Sequence, residues 1–388
     1  MAIRAIFLIT IVCYISYYCN AFGDYTTKLS RLEELEIEKE LNLLNKPPIK
    51  TIKREDGVIY DCIDFFKQPA FDHPSLKNHT YHYKIKPSSR PNLSEHKDSS
   101  KIKLKGLNCP IGTVPIRRTT KEDLIKSKLF TKVYGSLTLE KPGLHHAVLR
   151  TISDPKRRYN GGGAVMSIYN PTVAGSQYSS SQMTIKNGPD SIQVGWTVNP
   201  TLYGDSKTHA FTFLQAGGNS CFNTQCPGFV IVSTEIPLDY TFDQVSQRGE
   251  TIYDTQFFIY RDPTNGNWWL EYGKAGTQIG FWPGRIFSAL NTDLASYMEW
   301  GGEAYSPPGQ PNPEMVIFDN AEVFIDAKKL YSVDDWKIRG DHGHVMEEEE
   351  AVDQSEFAKC RMCWRRNKHQ AGADSYAGTN PGAPSGAD

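Results

Sequence analysis

Ser191-Ile-Gln-Val-Gly-Trp-Thr-Val198 alternates apolar side chains with polar or small ones. Successive side chains of a strand point to opposite faces, so Ile192, Val194 and Trp196 share one face and Gln193 and Thr197 the other. The same texture extends in both directions. Ala164–Tyr169, Ala210–Phe213, Gly228–Ser233 and Thr255–Tyr260 are further short runs rich in Val, Ile, Phe, Tyr and Thr. Gly, Pro, Asn and Asp separate them, and Asp262-Pro-Thr-Asn-Gly266 makes a turn before Trp268-Trp-Leu-Glu-Tyr272, as hairpins require. From about His145 to Ala327 the pattern predicts an all-β domain, a sandwich or barrel large enough to bury one substantial core. Trp268, Trp269, Phe281, Trp282, Tyr203 and Tyr272 are shared between that core and a groove, most of them core.

Upstream the period changes. Leu29, Leu32, Leu35, Leu41 and Leu44 form a helical stripe among Glu and Lys that stops before Pro47-Pro48, which predicts one amphipathic helix bracing its own chain. Gly57 to Cys109 is rich in aromatic residues, Pro and His, and Lys84 to Lys103 reads as a loop. The basic stretch from Cys109 to Lys128 reads as a connection, with cleavage expected between Arg117 and Lys132. Met1-Ala-Ile-Arg4 and the apolar run to Ile15 have the form of a signal peptide ending near Ala21. The expected divisions are 1–21 signal, 22–135 leading α+β region, 136–338 β domain and 339–388 a charged, low-complexity tail.

Among the 388 residues the formal net charge is −1, and no basic stripe offers a surface for nucleic acid. A membrane is not expected as a partner once the signal is removed. Eight cysteines occur, of which Cys13 and Cys19 lie in the signal. An even remainder in an exported chain reads as disulfides, and spacing suggests Cys62 with Cys109 and Cys221 with Cys226. Cys360 and Cys363 read as a tail disulfide or free thiols. Asn78-His-Thr80 and Asn92-Leu-Ser94 are acceptor patterns for glycosylation. Adjacent His145 and His146 point to opposite faces of a strand without a third ligand, and no phosphate loop or Ser/Cys nucleophile pattern occurs; no metal or cofactor is expected.

Tyr297-Met-Glu-Trp-Gly-Gly-Glu303 sets a carboxylate beside two glycines and an indole, surroundings that raise a carboxyl pKa. With Ile192-Gln-Val-Gly-Trp196, Leu202-Tyr-Gly-Asp205, Cys221-Phe-Asn-Thr-Gln-Cys226-Pro-Gly-Phe229, Gly266-Asn-Trp-Trp-Leu270 and Gly280-Phe-Trp-Pro283, the chain resembles the neprosin family over roughly residues 44 to 305. Lys67-Gln-Pro-Ala-Phe-Asp-His-Pro74 and Gly112-Thr-Val-Pro-Ile-Arg-Arg118 carry the likeness into the leading region. The resemblance implies a two-sheet β-sandwich made as a zymogen, a glutamic peptidase that acts at acid pH and cleaves after proline. It implies a catalytic pair of glutamates on facing strands. The second matches Glu303, with Glu299 beside Trp300 as an alternative register; at the first position this chain has Gln193.

A carboxamide cannot exchange a proton as a carboxylic acid does, but it can donate hydrogen bonds to an oxyanion. The expected division of labour is Gln193 as oxyanion donor and Glu303 as the base for water and then acid to the leaving nitrogen, with Trp196, Thr197, Tyr203 and Trp300 along the substrate groove. The expected partners are a proline-containing peptide or protein and the chain's own leading region, which would mask the groove until acid protonates the carboxylates tying it down. The expected location is outside the cell, in the cell wall, or in the vacuole. The competing expectation is an inactive member of the same fold that binds cell-wall or Pro-rich ligands.

Overall fold

The structure is a computed structural model that describes residues 31–91, 102, 104–135, 142–151, 157–247, 249–273 and 275–315, together with strands at 322–327, 336–339, 345–346 and 357–361. The signal segment and Asn92 lie outside the described residues.

Two antiparallel sheets form the main domain, and the alternation in Ser191–Val198 explains why they pack. One sheet of eight strands runs in the order β17 (Val345–Met346), β16 (Trp336–Arg339), β4 (Leu144–Thr151), β14 (Tyr297–Tyr305), β6 (Tyr178–Asn187), β7 (Asp190–Val198), β8 (Thr208–Ala216) and β9 (Asn219–Phe222). The other has seven: β10 (Val230–Ile231), β13 (Thr277–Trp282), β12 (Trp268–Tyr272), β11 (Asp254–Arg261), β5 (Tyr159–Ser167), β15 (Glu322–Ala327) and β18 (Phe357–Arg361). Ile192, Val194 and Trp196 point between the sheets into one core with Phe257, Ile259 and Leu270. Across that core the Trp196 indole Nε1 donates to the Ser167 carbonyl at 3.0 Å, which satisfies the one polar atom of a fully buried side chain. The β11–β12 hairpin turns where expected, and Gly266 takes the left-handed conformation (φ 73°) that glycine adopts without a Cβ clash.

β17 and β18 fall within the 339–388 stretch as edge strands, one on each sheet, because the backbone edges of β16 and β15 offer hydrogen bonds to them.

The leading region is a small α+β unit. β1 (Lys50–Lys53), β2 (Ile59–Asp64) and β3 (Thr113–Arg117) form a three-stranded sheet, and α1 (Arg31–Leu44) packs on α2 (Lys121–Gly135). The seam of α1 is Ile37, Leu41 and Leu44 against Leu124, whereas Leu32 and Leu35 of the expected stripe are exposed. Lys121–Glu34 and Lys128–Glu40 ion pairs join the helices. The basic stretch expected to be a connection is therefore β3 followed by α2. The Lys84–Lys103 stretch is in its first part docked: Ser88 donates through N to Asp262 at 2.8 Å, and Arg90 Nε donates to the buried Glu271 at 2.8 Å. Tyr81 packs edge-on against Phe281, with Phe71, Tyr83 and Leu104 also against the main core. The leader thus covers the seven-stranded sheet, while α2 lies over the outer face of the eight-stranded sheet beside β9.

Candidate active site

The site is built on the face of the eight-stranded sheet opposite the core. Because that sheet is antiparallel and in register, its outward side chains form rows across strands. One row is Glu299–Thr184–Gln193–Phe213, the next Gly301–Gln182–Gly195–Phe211, and the next Glu303–Ser180–Thr197–His209. Gln193 on β7 and Glu303 on β14 are therefore on the same face of one sheet, with β6 between them. They line a common cavity of about 640 Å³ with Tyr134, His146, Thr184, Phe213 and Glu299.

Glu303 is 4% exposed. Burial pushes its carboxyl above the usual range, because the charged form loses water; His146 and the hydrogen bonds from Tyr178 and Gln182 offset part of this. Tyr178 Oη donates to Oε1 at 2.5 Å and Gln182 Nε2 to Oε2 at 3.3 Å, with His146 Nδ1 3.5 Å from Oε2. Glu299, the alternative acid, is half-buried on the same face and accepts from Tyr297 Oη. The buried, multiply bonded carboxylate is that of Glu303.

Gln193 is 8% exposed, and its Oε1 accepts from the hydroxyl of Tyr134 at 3.0 Å. Tyr134 comes from the last turn of α2, so the leading region reaches the cleft with its own side chain. The same hydroxyl hydrogen-bonds Gln182. Burial, and next the charge of Glu303, hold the Tyr134 phenol well above its ordinary value, so it is a neutral hydroxyl throughout the physiological range. Phe130, one helical turn earlier, meets Tyr178 edge-on at 5.4 Å and Phe222 at 5.4 Å, while Tyr134 meets Phe213 at 4.9 Å. With Leu144, Leu202 and Phe211 these rings form a second apolar cluster.

The groove residues expected from sequence separate. Trp196 and Trp300 are fully buried on the core side of their strands, since even-numbered positions on β7 and β14 point inward. Neither lines the cavity. Thr197 is on the correct face in the row of Glu303, but is buried and donates to the Ser179 carbonyl at 3.1 Å. Tyr203 is buried under the leading region: it stacks on His209 at 3.9 Å, and the Arg117 guanidinium lies over its ring at 5.5 Å. Sequence reasoning missed Tyr134, Tyr178, Gln182 and His146. Ser179-Ser-Ser-Gln-Met-Thr-Ile185 carried a readable signal, since its polar positions alternate with Met183 and Ile185 as in β7.

Cys62 is bonded to Cys109, tying β2 to the segment before β3, and Cys221 to Cys226 beside β9. Asn78 is exposed. Among the described residues no helix is long and apolar enough to cross a membrane.

Comparison with known proteins matches the neprosin profile at residues 175–374 and the neprosin activation peptide profile at residues 51–150. The chain belongs to the neprosin family. Its activation-peptide match runs past α2 into β4, and its neprosin match extends over β17 and β18. Among solved structures, this neprosin-family chain is similar to Scytalido-glutamic peptidase with a peptide-based transition state analog, at 12% identity and TM-score 0.26, over 58% of this chain and 99% of that one. It is also similar to SCP-B, a member of the Eqolisin family of peptidases in a complex with the tripeptide Ala-Ile-His, at 12% identity and TM-score 0.24, with the same coverage. A third similar structure is the enzymatically active domain of bacteriophage CBA120 tailspike protein 2, at 15% identity and TM-score 0.25, over 50% of this chain and 30% of that one.

Proposed function

We propose that this neprosin-family chain is the latent precursor of an exported glutamic endopeptidase that cleaves after proline at acid pH. The observation that carries the reading is the Tyr134 hydroxyl: a leader side chain forms part of the wall of the cavity shared by Gln193 and Glu303 and hydrogen-bonds Gln193. A plug of this kind is what a self-inhibited hydrolase needs, because it denies the cleft to substrate until the leader leaves.

After release, a peptide carbonyl occupies the space of the Tyr134 hydroxyl. Glu303, ionised, accepts a proton from a water molecule as the water oxygen bonds to the carbonyl carbon. The carbonyl π electrons move to oxygen, and the Gln193 amide donates to that oxyanion; a half-turn of its terminal torsion presents Nε2 in place of Oε1. Glu303 then delivers its proton to the leaving nitrogen, the C–N bond breaks, and a carboxylic acid and an amine result. A carboxyl raised by burial suits both halves, since it is a stronger base when ionised and holds the proton it must then deliver to the leaving nitrogen. The aromatic floor of Tyr178, Phe213 and Phe222 offers faces on which a proline ring stacks. The disulfides and the signal-like first residues support an exported protein.

The test is incubation of the purified precursor across pH, with mass measurement and a proline-containing peptide. Processing and cleavage after proline at acid pH are expected. Absence of both at every acid pH would overturn the reading, and hydrolysis gained only on Gln193→Glu would assign the chain to the inactive binding class.

A further inference from the structure

The diagonal from Gln193 to Glu303 crosses β6 at a single side chain, that of Gln182. Its lateral neighbours in the row are Gly301 and Gly195, so no side chain flanks it. Neither glycine tolerates a Cβ, which would collide with the Ala147 carbonyl oxygen beside Gly301 and with the Ser181 carbonyl oxygen beside Gly195. The Gln182 carboxamide thus stands between two glycines and reaches Glu303 and the Tyr134 hydroxyl, which bonds Gln193. It is 4% exposed, and its orientation is fixed: Ser180 Oγ donates to Oε1 at 3.0 Å. With the oxygen so engaged, the amino group faces Glu303, donating to Oε2 at 3.3 Å, and the Tyr134 hydroxyl.

We propose that Gln182 is a positioning residue of the proposed peptidase, one that fixes the plane of the Glu303 carboxylate and stabilises its ionised form. The proposal rests on the glutamic-peptidase reading. Its chemical content is simple. Oε1 of Glu303 is held by Tyr178 and Oε2 by Gln182, so the carboxylate cannot rotate, and its remaining lone pairs face the cavity in which water and the scissile carbonyl meet. Burial disfavours the anion; His146 of β4, 3.5 Å from Oε2, and the Tyr178 and Gln182 donors of β6 work against that penalty, while Glu299 of β14 adds to it. Without the donor the carboxylate would keep its proton to higher pH and would lose its alignment with the water.

The experiment is the pH dependence of kcat and kcat/KM for the acid-processed enzyme on a proline-containing fluorogenic peptide, with Gln182→Met and Ser180→Ala compared with the parent. Losing a hydrogen bond to a charged group displaces a carboxyl titration by about one pH unit, so in Gln182→Met the acid limb moves up by about that amount. In the same variant kcat falls by roughly tenfold or more, while KM changes by less than about twofold, because the loss is in the transition state. Ser180→Ala frees the carboxamide without removing it, and shifts the same limb in the same direction by less; this variant carries the test if Gln182→Met does not fold. An unshifted limb in the folded variants, or a change confined to KM, would overturn the proposal. Full activity of Glu303→Gln would instead overturn the peptidase reading beneath it.

Discussion

On the proposed reading Tyr134 contributes to latency, and its replacement has a magnitude that follows from its contacts. Its ring packs on Phe213 at 4.9 Å and Phe222 at 5.2 Å, and its hydroxyl bonds Gln193. Truncating a buried aromatic side chain to alanine costs about 3–5 kcal/mol. Part of the Tyr134 residue remains accessible, so the lower end, about 3 kcal/mol, applies to docking of the last turn of α2. Each 1.4 kcal/mol is tenfold in an equilibrium, so Tyr134→Ala increases the undocked fraction by roughly a hundredfold. Tyr134→Phe keeps the ring and loses about 1 kcal/mol of hydrogen bonding, for roughly fivefold. The assay is the initial rate at which freshly purified, unprocessed precursor cleaves a short fluorogenic peptide, with chain length checked at each time point. Rates in the order Ala, Phe, parent are expected. A Tyr134→Ala precursor no more active than one carrying the exposed Lys132→Ala change would refute the plug.

Acid acts on the leader's docking in two opposed ways. Burial, and next the nearby Arg285 guanidinium, hold His79 below the usual histidine value, so docking is strongest above about pH 6.5 and weakens as pH falls through the depressed value. Burial raises the Asp56 carboxyl, but hydrogen bonds from Lys207 and the Val58 amide together with Arg54 hold it below its ordinary value, so its contribution is lost only below about pH 3.9. Glu271 and Asp239, raised by burial despite Arg90 and Arg117, have the reverse sign and favour the docked state in acid. His79 and Asp56 thus both weaken docking as acid is added, the histidine in a window that opens at higher pH. His79→Phe, which preserves the stack on Phe71, should move the onset of processing to lower pH; an unchanged onset would contradict the assignment. Glu303 favours the folded state at low pH, a contribution lost as pH rises from about 4.3 through its raised value. The melting temperature of Glu303→Gln relative to the parent should therefore climb with pH, and a difference that falls with pH would contradict the buried carboxyl. The Cys62–Cys109 bond closes a loop with a sequence separation of 47 residues. Loss of that bond in Cys62→Ser/Cys109→Ser should cost the leader about 4 kcal/mol on the chain-entropy model, read as earlier protease nicking of the leader than of the main domain.

What the sequence made legible was what local pattern determines. Alternation identified β7, the turn at Gly266 identified the β11–β12 hairpin, and the Gly-Gly before Glu303 marked a carboxylate that the fold buries. The same alternation already placed Trp196 with Ile192 and Val194, away from Gln193, so its removal from the groove was readable from parity alone. Trp300 follows by the same count from Glu303. Long-range pairing decided the rest. Nothing in Lys121–Gly135 indicates that Tyr134 enters a cleft built by β6, β7 and β14, because that contact depends on the whole leader wrapping the sandwich. Gln182 gains its meaning from the register that sets Gly195 and Gly301 beside it, and register is a property of the assembled sheet.

Glu303 is proposed to perform hydrolysis in a cleft freed from Tyr134. Its most direct test is kcat/KM of the acid-processed chain and of its Glu303→Gln variant on one proline-containing peptide, with the cleaved bond assigned by mass. A parent that cuts after proline and a variant slower by about a thousandfold or more are expected, since the base and the acid are lost together. A processed Glu303→Gln enzyme within tenfold of its parent would contradict the account.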